Sequence, residues 1–146
     1  FFCLNAAPVK PVPHELLEHV DLLVVNEIEA IAIGEKLDSY DGLLASTFGS
    51  RGATLSQHGK QIASAKPPVV DVVDTTGAGD AFTAGLLHGL LHNPWQDEAH
   101  NGWHHQLEQR LRFASACGAL VCQAAGAIDP QPTAAAVQAF LAARQG

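Results

Sequence analysis

The chain has 146 residues, 47% of them apolar and 16% charged, with 8 Lys and Arg against 15 Asp and Glu for a formal charge of -7. So high an apolar content excludes a disordered tail, and the length suits one core. The acidic balance excludes a duplex-binding surface, which needs clustered Lys and Arg against phosphates, and leaves local binding of small anions open.

Phe1 to Leu4 reads as a buried strand, so the sequence is expected to start inside a larger protein. Pro11 to Pro13 punctuates the chain, and His14 to Val20 predicts a short helix. Leu22 to Val25 is a fully buried strand, followed by a helix from Asn26 to about Lys36 whose end Gly34 frays. Leu43 to Thr47 predicts a third strand, and Ala53 to Ser56 with Gln61 to Ser64 a hairpin around His58-Gly59-Lys60. Val69 to Val73 reads as another strand. Gly77 to Leu91 predicts a buried helix in which Gly85 and Gly89, four apart, let a neighbour approach closely. Helices from about Gln106 to Gln123 and Thr133 to Arg144 close the chain.

Short apolar strands alternating with helical patterns give the α/β class, a parallel sheet with crossover helices. Asn93 to His105 reads as a polar loop anchored by Trp95 and Trp103. His100 and His104 share a helical spacing but lack a third ligand, which favours a solvated loop over zinc. Cys3, Cys117 and Cys122 are odd in number, imply no disulfide framework, and point to a reducing, cytoplasmic setting. No apolar run approaches the roughly 20 residues of a membrane span.

The most informative stretch is Val72-Val73-Asp74-Thr75-Thr76-Gly77-Ala78-Gly79-Asp80-Ala81-Phe82-Thr83-Ala84-Gly85. A strand runs into a glycine turn that opens a helix, so unpaired N–H groups at the positive end of the helix dipole form an anion hole. Gly77 and Gly79 lack a Cβ and let a phosphoryl group approach, while Asp80 in the first turn could take the proton of an attacking hydroxyl. Alone, the turn fits an ordinary glycine-flanked helix start equally well.

This stretch resembles, position for position, the C-terminal signature of the ribokinase-like (PfkB) carbohydrate kinases. The resemblance implies that Asp80 is the catalytic base and that the Gly77, Ala78 and Gly79 amides are the anion hole. Asp21 to Ala30 resembles the family's strand followed by Asn-x-x-Glu, which implies that Asn26 and Glu29 organise Mg²⁺ and phosphates through bound water. Asn26 with Glu29 fits a plain helix capping box as well; the company of the other motifs favours magnesium. Thr47-Phe48-Gly49-Ser50-Arg51-Gly52 is similar to the Thr-x-Gly-x-x-Gly nucleotide loop, in which Arg51 faces either phosphate or solvent. Leu4 to Pro8 and Gly126-Ala127-Ile128 resemble further family segments. Asp74, with Thr76 and Gly126, matches a monovalent-cation site, K⁺ in many members, although Asp129-Pro130 stands where a hydroxyl is common.

The resemblance implies a three-layer ribokinase-like sandwich with a mostly parallel sheet, of which residues 1–146 would be the C-terminal nucleotide-binding and catalytic portion. The sugar-holding N-terminal half and its β lid are absent. ATP and Mg²⁺ would serve a sugar substrate in a cytoplasmic homodimer, with no nucleic acid or membrane partner. Fructokinase, nucleoside kinase and a non-catalytic nucleotide-binding fragment remain alternatives. Between Glu29 and Thr47 only 17 residues intervene, short for a parallel crossover, which suggests that a helix is missing.

Overall fold

A computed structural model describes residues 1–92 and 103–144. They fall into two compact units, Phe1–Ser64 and Ala65–Gly146.

The first unit carries a five-stranded sheet in sequential order, β1 (Cys3–Asn5), β2 (Leu22–Asn26), β3 (Leu43–Thr47), β4 (Ala53–Gln57) and β5 (Lys60–Ala65). β1, β2 and β3 run parallel, and β4 reverses to pair antiparallel with β3. Leu22, Leu23, Val24 and Val25 are all buried, which is why this strand reads as an unbroken apolar run. Leu23 and Val25 join Leu17, Val20, Ile33 and Tyr40 in one core cluster.

α1 (His14–Leu17) is shorter than its sequence pattern, and α2 (Glu27–Ile33) stops where Gly34 takes φ 65. A 3₁₀ turn, Gly34–Leu37, completes the return from β2 to β3, so the parallel connection closes with one short helix. The β4–β5 hairpin turns on His58 and Gly59, both at positive φ, the primed geometry that matches strand twist.

The second unit holds α3 (Ala78–His92), α4 (Trp103–Val121) and α5 (Ala134–Ala142), the last capped by Thr133 Oγ1 accepting from the Ala136 N–H. α3 buries Ala81, Phe82, Leu86 and Leu90 on one stripe. Its two glycines meet α4 as their spacing anticipates. A Cβ on Gly85 would stand 2.7 Å from Cys117 Sγ and 3.0 Å from Ala114 Cα, and one on Gly89 3.0 Å from Arg110 Cγ. Close packing also encloses the Cys117 thiol, whose pKa burial pushes up to about 11.

One expected strand is not formed. Val69–Val73 has no ladder partner among the described residues, and Val69, Val72 and Val73 are exposed. The Val73 and Asp74 N–H groups both donate to the Cys122 carbonyl at the end of α4. β-branched residues favour a strand only where a neighbour completes the ladder. Most of the expected polar loop, with Trp95 and His100, lies outside the described residues; Trp103 to His105 are the first turn of α4 rather than loop.

Gly85→Ala should lower stability, because overpacking against the Ala114 backbone costs about 1–3 kcal/mol and outweighs the gain of up to about 1 kcal/mol in helix propensity. Urea unfolding monitored by circular dichroism checks this, with Gly79→Ala, where a Cβ meets nothing within 4 Å, as the comparison.

Candidate active site

β2 and β3 end side by side, Asn26 opposite Thr47, at the carboxyl edge where parallel sheets take ligands. Asn26 caps α2: its Oδ1 accepts the Glu29 N–H at 2.9 Å, and Glu29 Oε2 accepts the Asn26 N–H at 2.7 Å. Asn26 Nδ2 also donates to Glu29 Oε1 at 3.0 Å. The plain capping box is therefore present. It does not exhaust the carboxylate, because an ionised oxygen that accepts one hydrogen bond keeps further acceptor capacity. Glu29 is only 5% exposed and both its oxygens bond to Asn26, so a hydrated Mg²⁺ there would be met through water rather than held in an all-protein cage.

The loop after β3 is fixed by its own backbone. The Phe48 N–H donates to the Gly52 carbonyl at 2.8 Å, and Gly49 and Gly52 adopt φ 57 and 114, which residues with a Cβ resist. Thr47 Oγ1 donates to the Val25 carbonyl at 3.3 Å. Arg51, open to either phosphate or solvent in the sequence, forms an ion pair with Glu27 and lies 5.7 Å over the Phe48 ring. The hydrogen bond and charge of Glu27 raise the guanidinium pKa further.

In the second unit, Asp74 ties the turn before α3 to the glycine loop after α4. Its Oδ1 accepts the Thr76 N–H at 2.9 Å and the Thr76 hydroxyl at 2.7 Å, and its Oδ2 accepts the Gly126 N–H at 3.0 Å. These bonds, that from Gly126 foremost, pull its pKa from 3.8 to about 2. The three groups expected around a monovalent cation thus meet, through bonds to one another. Gly77, at φ 79, brings the turn against the same loop, and a Cβ there would stand 3.0 Å from Ala127 Cα.

The first turn of α3 has no carbonyl one turn back within its own helix. The Ala78 N–H, one of the three amides expected at the anion hole, donates to the Thr75 carbonyl at 3.2 Å. Gly79 faces open space, and Asp80 follows it, exposed, in the first turn. Sequence reasoning missed Glu27 as the partner of Arg51, 24 residues away, and Gln131, whose Nε2 donates to the Ala127 carbonyl at 2.7 Å. Neither has a local signal, because both contacts arise only from chain return.

The family model for the pfkB family carbohydrate kinases matches residues 2–134. Ribokinase of Bacillus subtilis (strain 168) is 33% identical over 144 residues, 94% of this chain and 45% of that protein. Arabidopsis thaliana ribokinase complexed with ribose and ATP superposes with a TM-score of 0.77 at 30% identity, over 95% of this chain and 46% of that one. A double mutant of Vibrio cholerae fructokinase bound to fructose, ADP and potassium gives a TM-score of 0.70 at 27% identity, over 87% of this chain and 42% of that one. The chain spans less than half the length of these relatives.

Because the Asp74 pKa is depressed on folding, its contribution to stability is present above the unfolded value of about 4 and is lost as pH falls through about 2. Asp74→Asn should remove that part of the acid limb, since an amide does not titrate there. The amide nitrogen would also face the Gly126 N–H donor to donor, so hydrogen exchange at Gly126 should quicken. Acid unfolding curves and exchange of the Gly126 amide check both.

Proposed function

We propose a mechanism for a chain that belongs to the pfkB family of carbohydrate kinases: it is the C-terminal, nucleotide-binding and catalytic portion of a kinase that moves the γ-phosphoryl group of ATP to a sugar hydroxyl. The observation that carries this is the start of α3, where Asp80 follows a glycine that opens to space, on a turn strapped to the glycine loop by Asp74.

Asp80 takes the proton of the sugar hydroxyl as its oxygen bonds to the γ-phosphorus and the bond from that phosphorus to the departing ADP oxygen breaks. The Gly77 and Gly79 N–H groups are held ready for the charge on the moving phosphoryl group; preorganised donors there need no rearrangement during reaction. The bond from the Ala78 N–H to the Thr75 carbonyl holds the turn in shape. Asn26 and Glu29 would hold Mg²⁺ through water, and the ion when bound supplies neutralisation of phosphate charge. The loop from Thr47 through Gly49 and Arg51 to Gly52 serves the nucleotide.

A monovalent cation at Asp74, Thr76 and Gly126 belongs to the same reading, supported by the meeting of these groups and by potassium in the fructokinase relative. Ribose and fructose are the acceptors that the relatives' names suggest. Free thiols at Cys3, Cys117 and Cys122 support a cytoplasmic setting, and the homodimer rests on the family resemblance alone. Among the described residues no helix is long and apolar enough to cross a membrane.

Asp80→Asn should lower kcat for ribose or fructose phosphorylation by about 10²- to 10⁴-fold in the full-length protein while leaving the calorimetric Kd for Mg-ATP nearly unchanged. Substantial residual turnover would overturn Asp80 as base. ATP binding without transfer by the parent chain would leave it a nucleotide-binding portion that lacks its sugar-holding residues.

A further inference from the structure

Glu27 has no part in the motif roles above, yet it fills the position next to the metal-organising Asn26 and captures the one charged side chain of the nucleotide loop. Both partners are substantially exposed, 67% for the Arg51 side chain and 49% for that of Glu27. A pair this open gains little from Coulomb attraction and is replaced readily. Its position is not arbitrary: Glu27 follows the end of β2, and Arg51 lies in the turn after the neighbouring end of β3. The turn's backbone is pinned by the Phe48–Gly52 bond and two positive-φ glycines, so the arm can move while its root stays fixed.

We propose that the Glu27–Arg51 pair is an exchangeable counter-ion latch, in which Glu27 occupies the Arg51 guanidinium until a nucleotide phosphate displaces it. This rests on the nucleotide-binding reading of the same strand ends. A guanidinium forks onto phosphate as it does onto carboxylate, and a phosphate chain carries more charge than one carboxylate, so the exchange runs toward bound nucleotide. Glu27 thereby sets nucleotide affinity and retention without touching the reacting atoms. It is a positioning residue, and its cost to binding is that of breaking an exposed pair.

The test compares calorimetric Kd values for Mg-ATP and for adenosine in the full chain, its Glu27→Gln and Arg51→Gln variants, at low and high salt. Glu27→Gln should tighten Mg-ATP about two- to fivefold at low salt, leave adenosine unchanged, and lose the gain at high salt. Arg51→Gln should weaken Mg-ATP and leave adenosine unchanged. Equal shifts for both ligands, or weaker Mg-ATP binding by Glu27→Gln, would make the pair a structural brace and overturn the latch; so would unchanged Mg-ATP binding in either variant. Glu27→Asp, which keeps the charge, should return the parent value; failure to do so also counts against exchange. If the parent chain binds adenosine and Mg-ATP equally or not at all, the nucleotide-phosphate reading itself falls, and the latch with it.

Discussion

A helix must dispose of its first-turn N–H groups, and this constraint shapes the start of α2 in the first unit and that of α3 in the second. α2 and α3 meet it in opposite ways. At α2 the Asn26 side chain and the Glu29 carboxylate satisfy donors reciprocally, within the chain itself. At α3 the chain spends one backbone carbonyl, that of Thr75, and follows it with a glycine open to space. On the proposed reading the first start would meet a hydrated cation and the second an anion. The chemistry of a metal-assisted phosphoryl transfer needs both.

The two glycines of the α3 turn answer different demands. Gly77 is glycine because its φ of 79 and the Ala127 backbone at 3.0 Å leave no room for a Cβ. Gly79 has neither restriction, so its missing side chain has no packing explanation in the second unit; on the proposed reading it serves close ligand approach. A motif position that is glycine for packing fixes the shape of the turn, while one that is glycine for access leaves the turn usable.

Legibility followed the range of the interactions. Leu43–Thr47 was readable to the residue because its apolar run and neighbours specify a buried strand locally, and Gly34 ended its helix where a positive φ was needed. Gly85 and Gly89 announced a close helix contact through spacing alone. Val69–Val73 misled because strand propensity says nothing about whether a partner is present. Asn26 and Glu29 supported two readings, and the structure realises the cap without removing the other, since a carboxylate oxygen can serve a backbone donor and a metal-bound water together. The bond from Gly126 to Asp74 spans 52 residues, beyond any local pattern, and only the family resemblance placed the two together.

That bond also accounts for how the second unit keeps the turn before α3 in register without burying it. Asp74 is solvent-accessible, yet three donors converge on its two oxygens and stabilise the charged form. Cys122, at the end of α4, holds the Val73 and Asp74 N–H groups through its carbonyl. Gln131 holds the Ala127 carbonyl from the other side of the loop. Each contact is a single hydrogen bond, and none would fix the turn alone. Placed on Val73, Asp74 and Thr76, and joined by the Ala78 N–H bond to the Thr75 carbonyl, they constrain the turn from which α3 begins, so Asp80 inherits its position from that turn.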